Sequence, residues 1–207
     1  MNSSYPTPEI MAAFAADPII CGIIEKGQPL PSSRSEDVYF KLLSSIVSQQ
    51  LSTKVAAVIF RRFQELFPEE YPHPELVLEA PDELLRSAGL SFQKIGYVRN
   101  VAAFAAEGNL QHATIDAMED EPLIQHLTQI KGVGRWTVEM LLMFALERPD
   151  VFPVDDLGIQ NAMKRHYDIE ESGKKLKLRM QEIAQPWRPY RTIASKYLWQ
   201  SLDNMPK

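Results

Sequence analysis

Cysteine is nearly missing from this chain: Cys21 is the single one among 207 residues. An internal disulfide, a cysteine-built zinc site and a four-cysteine iron–sulfur cluster are thereby excluded, so any chemistry falls to ordinary side chains or to a loosely held ion. Long apolar runs are missing as well. The longest uninterrupted one covers residues 140–146, far below the ~18 residues that a membrane span needs. No basic stretch precedes an apolar one at the N-terminus, so the chain reads as soluble, with no membrane partner. The third absence is an excess of positive charge. The 22 lysines and arginines stand against 27 aspartates and glutamates, a net charge of −5. That balance argues against a protein that coats nucleic acid by bulk electrostatics.

What is present is a hydrophobic content of 45%, ample for a buried core in one compact unit or two lobes. Charge is unevenly spread. Acidic residues crowd 65–83 and 116–121, whereas Lys164, Arg165, Lys174, Lys175, Lys177, Arg179, Arg188, Arg191 and Lys196 gather in the last quarter, forming either a basic face or a solvated helix surface. Apolar residues recur at three- and four-residue spacing almost everywhere and never alternate over a useful length, which predicts an all-α fold of about ten short helices. Pro6 and Pro8 precede a short helix ending near Asp17-Pro18, and residues 27–35, with Pro29, Pro31 and three serines, form a linker. Val38, Leu42, Leu43, Ile46 and Val47 make an apolar stripe on a helix running toward Ser48-Gln49-Gln50-Leu51-Ser52. Further helices are expected over 53–67, 81–88, 93–107 and 121–127.

Residues 127–137 follow, reading Leu127-Thr128-Gln129-Ile130-Lys131-Gly132-Val133-Gly134-Arg135-Trp136-Thr137. They separate two helical patterns, the second continuing through Val138, Leu141, Leu142 and Ala145. Glycine lacks the Cβ that blocks a left-handed backbone and the close approach of another molecule. Gly132 and Gly134 can therefore bare consecutive amides where a helix begins and its dipole adds positive potential. Such a cradle holds a phosphate with little help from lysine, which suits an acidic chain. A plain tight turn between helices uses glycine too, so the surrounding Leu127, Ile130 and Thr137 carry the distinction. With them the segment resembles the helix-hairpin-helix DNA-binding motif.

Some twenty residues past the hairpin, Val151-Phe152-Pro153-Val154-Asp155-Asp156-Leu157-Gly158-Ile159 opens another helix. Hairpin, Gly/Pro loop and aspartate in this order resemble the helix-hairpin-helix base-excision DNA glycosylase superfamily. The superfamily's catalytic aspartate is followed at the third position by an aliphatic residue, and counting back from Ile159 selects Asp156. Asp155 is expected to cap the helix, where aspartate is worth about 1 kcal/mol without any catalysis, or to shape the loop.

The resemblance implies a two-lobed fold: residues 36–149 as a bundle ending in the hairpin, residues 1–35 plus 150–207 as the lobe carrying the aspartate, and a cleft between them. Strand-cutting members carry a lysine in the hairpin that forms a Schiff base. Trp136 stands there instead, which implies a monofunctional enzyme. Gly134-Arg135-Trp136-Thr137, Pro153-x-Asp155-Asp156-Leu157 and Trp187-Arg188-Pro189-Tyr190-Arg191 with Trp199 look like the 3-methyladenine DNA glycosylase II branch, though in the shorter form that begins almost directly at the helical core. The implied activity is hydrolytic removal of alkylated purines, such as 3-methyladenine or 7-methylguanine, from duplex DNA. The open alternatives are another damaged base and a noncatalytic DNA-binding module.

By the same resemblance Trp136 and Trp199 flank the flipped base, where an aromatic face over a cationic purine contributes about 0.5–2 kcal/mol, and Trp187 is left to the core. Met140 lines the pocket where a bacterial member of the branch has a tyrosine. Lys131, Gly132, Val133, Gly134, Arg135 and Thr137 would meet DNA phosphates, and Gln50 or Leu51 would fill the gap left by the flipped base. Residues 88–91, before Lys94, fall on a loop of the family that touches DNA. No cofactor is required, although main-chain carbonyls of Thr128, Ile130 and Val133 could hold a sodium or potassium ion when DNA is bound. The implied setting is a monomer acting on duplex DNA in the bacterial cytoplasm, at the nucleoid, or in a eukaryotic nucleus.

Overall fold

The computed structural model describes residues 6–31 and 34–203, so part of the expected linker over 27–35 lies outside the described residues. The helices run in chain order as α1 (Pro8–Ala13), α2 (Pro18–Lys26), α3 (Val38–Ser48), α4 (Thr53–Gln64), α5 (Pro74–Glu79), α6 (Asp82–Ser87), α7 (Phe92–Ala106), α8 (His112–Ala117) and α9 (Asp120–Leu127). After them come α10 (Arg135–Phe144), α11 (Leu157–His166), α12 (Gly173–Ala184) and α13 (Arg191–Asp203). Short 3-10 turns cover Pro68–Glu70 and Gln185–Trp187. The fold is all-α, as the periodicity predicts.

The chain divides into two compact units, Ser35–Leu141 and the described residues of Met1–Arg34 with Leu142–Lys207. In the first, Leu42, Leu43, Ile46 and Val47 are fully buried. They form the predicted stripe of α3, which packs on α4 and α7, while α5 and α6 also lie on α7. In the second, α13 packs on α2 and α11, and α12 lies against α11. Its core includes Ile20, Met163, Trp187, Tyr197 and Leu198. Trp187 is fully buried, and its indole donates to Asp17 Oδ2 at 2.9 Å.

Two boundaries differ from expectation. α1 ends at Ala13, short of Asp17-Pro18, which opens a further helix: Asp17 Oδ1 accepts the amides of Ile19 and Ile20, and Pro18 takes the first helical position, where its missing N–H costs nothing. The division expected at 149/150 falls inside α10, after Leu141. The reason is that residues beyond it pack on α13. Phe144 stacks on Trp199, and Thr192 donates through its hydroxyl to the carbonyl of Arg148 at 2.6 Å and through its amide to that of Pro149 at 3.0 Å.

Candidate functional site

The hairpin belongs to the unit Ser35–Leu141. α9 stops at Leu127, the amide of Ile130 donates to the carbonyl of Leu127, and that of Val133 donates to Ile130 at 2.9 Å. Leu127, Ile130 and Val133 are buried and pin the turn from beneath. Its two glycines serve different ends. Gly132 has φ +105°, and a Cβ there would stand 2.3 Å from the Tyr97 ring. Gly134 is exposed, and a Cβ on it would meet nothing within 4 Å, so packing within the chain does not require glycine there.

Lys131, Arg135 and Trp136 are exposed around this turn, Met140 is half-buried one helical turn further on, and Thr137 is buried. Arg135 is not a free cation. It forks onto Glu121 at 2.8 and 2.9 Å and reaches Glu139 at 3.0 Å, and these hydrogen bonds and charges push its guanidinium above the usual arginine range. At the proposed cation position, the Ile130 carbonyl already accepts the Val133 amide, which leaves its second acceptor direction. A singly charged ion held by carbonyls fits that donor set. No cluster of three His, Cys, Asp or Glu side chains suited to a metal exists among the described residues.

In the same unit α3 ends at Ser48, and the chain turns through Gln49–Ser52 before Ser52 caps α4. Gln50 is exposed with φ +60°, and Leu51 is half-buried. The loop at residues 88–91 places Gly89 at φ +102° and caps α7 with Ser91; behind it Phe92 is 63% exposed beneath the Arg86 guanidinium.

Asp156 lies in the other unit, and the structure corrects the expected division of labour between the two aspartates. Asp156 itself is the N-cap of α11, its Oδ1 accepting the Ile159 amide at 2.8 Å, whereas Asp155 is exposed and paired with Lys177. The same Oδ1 accepts the Trp199 indole N–H at 2.7 Å. Two donors on one oxygen fix the carboxylate's rotamer. Only 9% of Asp156 is exposed.

Three residues absent from the sequence-based set complete this arrangement. A Cβ on Gly158 would lie 2.7 Å from the Trp199 indole and 3.0 Å from Asp156 Oδ1, so glycine is what lets the indole reach the carboxylate. Phe144 stacks on Trp199 with centroids 5.6 Å apart and planes 24° apart, and Lys196 Nζ lies 5.0 Å from the Phe144 centroid. Phe144 was within reach of sequence reasoning, since 136, 140 and 144 repeat at four-residue spacing along one helix face. Gly158 and Lys196 had no such signal.

An exposed hairpin glycine, a tryptophan two residues on and an aspartate capping a later helix define a helix-hairpin-helix base-excision architecture. The comparisons agree with that class. Residues 43–189 match the family profile described as "HhH-GPD superfamily base excision DNA repair protein", and the chain belongs to this superfamily. It is 37% identical over 177 residues to DNA-3-methyladenine glycosylase 1 of Schizosaccharomyces pombe, covering 84% of this chain and 76% of that protein. It is 35% identical over 190 residues to YfjP of Bacillus subtilis, covering 89% of this chain and 66% of that one. Among solved structures, the Bacillus halodurans DNA-3-methyladenine glycosidase superposes with a TM-score of 0.84 at 36% identity, covering 99% of this chain and 93% of that one. The S. pombe 3-methyladenine DNA glycosylase Mag1 in complex with abasic DNA superposes with a TM-score of 0.79 at 31% identity, covering 92% and 95%.

Proposed function

We propose that this chain is a monofunctional DNA glycosylase that flips alkylated purines, such as 3-methyladenine and 7-methylguanine, out of duplex DNA and removes them hydrolytically in base excision repair. The observation that carries the reading is Asp156, a nearly buried carboxylate held in one rotamer by the Ile159 amide and the Trp199 indole. The names of the relatives support the substrate class, and they come from bacteria and yeast, which fits work at a nucleoid or in a nucleus.

The chemistry follows from charge. Breaking the bond between base and deoxyribose sends the electron pair to the base and leaves an oxocarbenium-like cation on the sugar. A fixed carboxylate stabilises that cation and orients the water that adds to the sugar and gives up a proton. An alkylated purine already carries positive charge and leaves as a neutral molecule, so little general-acid help is needed. Trp136 has no amine to attack the sugar, and the strand stays intact. In this reading the side chains that meet the flipped base are Trp136 and Met140 of the first unit and Trp199 of the second. Lys131, Gly132, Gly134 and the main chain of Arg135 form the grip on the backbone, the Arg135 guanidinium being ion-paired; Thr137 and Val133, expected to join it, are buried, and the Val133 amide is held by the Ile130 carbonyl, so both support the turn instead. Gln50 or Leu51 fills the vacated stack. Carbonyls of Thr128, Ile130 and Val133 would hold a sodium or potassium ion, which supplies a charge bridge to a phosphate.

The test is release of free base from methylated duplex DNA, wild type beside Asp156→Asn. Asparagine caps a helix about as well as aspartate, so folding and DNA binding should persist while base release falls by at least about a hundredfold. Absence of free base from the wild type would overturn the enzyme reading in favour of a binding module, as would full activity in Asp156→Asn.

A further inference from the structure

Within the unit Ser35–Leu141, α7 turns one face toward two different loops. Lys94 Nζ donates to the carbonyl of Val47 at 2.6 Å and to that of Gln49 at 2.9 Å. These belong to the end of α3, where carbonyls lack partners within the helix and the dipole is negative, so an ammonium caps them doubly well. One turn along, Tyr97 packs beneath Gly132, its hydroxyl accepting from Gln93 at 2.7 Å. A further turn along, Asn100 Nδ2 donates to the carbonyl of Lys131 at 3.0 Å. Gln49 closes the circuit, its Nε2 donating to the carbonyl of Gly132 at 3.1 Å. The turn after α3 and the hairpin are thus tied to each other and to one helix.

Between these ties sits Gln50, a non-glycine residue in the left-handed region with its side chain exposed. Such a backbone persists only where its neighbours are fixed. Here they are, because Gln49 is held through its carbonyl and its amide group, and the Leu51 amide donates to Ser48 at 3.2 Å.

We propose that Gln49 and Lys94 are positioning residues for base extrusion, holding residues 50 and 51 in fixed register with the phosphate-gripping hairpin. This rests on the proposed roles of the hairpin as grip and of Gln50 or Leu51 as wedge. A wedge that must unstack a base needs a rigid anchor, and the nearest anchor is the loop that holds the backbone. The two ties make grip and wedge one mechanical piece, so a bound duplex is strained at the step where the base leaves.

The experiment compares two duplexes carrying 7-methylguanine, one with the lesion paired to cytosine and one with it opposite an abasic site, where extrusion costs less. Gln49→Ala and Lys94→Met should lower the release rate from the paired lesion about tenfold, with the unpaired lesion and affinity for undamaged duplex changing less than about threefold. Lys94→Arg, which can still reach the two carbonyls, should recover most of the loss. A parallel fall on both duplexes, or an unchanged rate on the paired one, overturns the proposal. Leu51→Ala and Gln50→Ala separate the premises. If neither slows the paired lesion, the wedge reading fails and this proposal with it; if either does while Gln49→Ala and Lys94→Met do not, this proposal alone falls. A wild type that releases no base from either duplex removes the glycosylase reading first.

Discussion

Asp156 does two jobs with one oxygen, and the residues around it show how they are kept compatible. As N-cap it must point Oδ1 at the Ile159 amide, and the indole of Trp199 approaches the same oxygen from the other side. That approach depends on Gly158 having no side chain. Gly158→Ala therefore pushes the indole away and also crowds the capping oxygen, a cost that alanine's better helix propensity, about 0.5–1 kcal/mol, only partly offsets. The expected outcome is an enzyme that melts somewhat earlier than wild type, stays folded at assay temperature, and releases base about tenfold or more slowly. Trp199→Phe keeps the ring that stacks on Phe144 but deletes the N–H, and should resemble Gly158→Ala in rate. Measured by single-turnover base release with thermal melts alongside, equal activity of both variants to wild type would show that the indole does not orient the carboxylate.

At the scale of elements, the hairpin's two glycines carry opposite predictions. Gly132→Ala places a Cβ against Tyr97 on a backbone that disfavours it, and should destabilise the protein by about 2–4 kcal/mol. Gly134→Ala meets open space, so stability should hold while DNA affinity falls, because a methyl group now stands where a phosphate must approach the amides. Denaturant melts and duplex binding assays should separate the two, and a stability loss at Gly134 or a pure binding loss at Gly132 would contradict the assignment. The hairpin was legible in the sequence because its chemistry is local: spacing of Leu127 and Ile130, glycines, helix start. α2 is not legible, because Asp17-Pro18 reads only as the end of the helix before it until the cap geometry shows that it also opens the next. The Asp155 and Asp156 assignments depended on which carboxylate meets an amide three residues on, and the pairing of Asp155 with Lys177 joins residues 22 apart in the chain, a distance over which no sequence pattern speaks.

Across the whole molecule, the net charge of −5 limits how DNA can be held. The basic cluster in the last quarter reads as either an electropositive face or a solvated surface, and several of its cations are paired with carboxylates. Lys177 pairs with Asp155, Arg179 with Glu182, and Arg188 and Arg191 both grip Asp150, while Arg135 in the hairpin is engaged with Glu121 and Glu139. Folding back onto carboxylates keeps these cations from acting as free phosphate ligands, a consequence that composition alone could not reveal. Under the proposed function, grip then falls mainly to uncharged amides at the hairpin. Each phosphate neutralised by a cation contributes about −0.9 to the slope of log K against log salt. Binding to undamaged duplex, followed by fluorescence anisotropy between low and physiological salt, should therefore give a slope shallower than about −4. Breaking these pairs should steepen it: Asp150→Asn releases Arg188, while Arg191 keeps the Asp150 main-chain carbonyl, and is expected to move the slope more negative by about one unit, with some loss of stability from the loop it anchors. A slope near −7 in the wild type would mean that the ion pairs reorganise on DNA and that bulk electrostatics, not the hairpin amides, supplies the affinity.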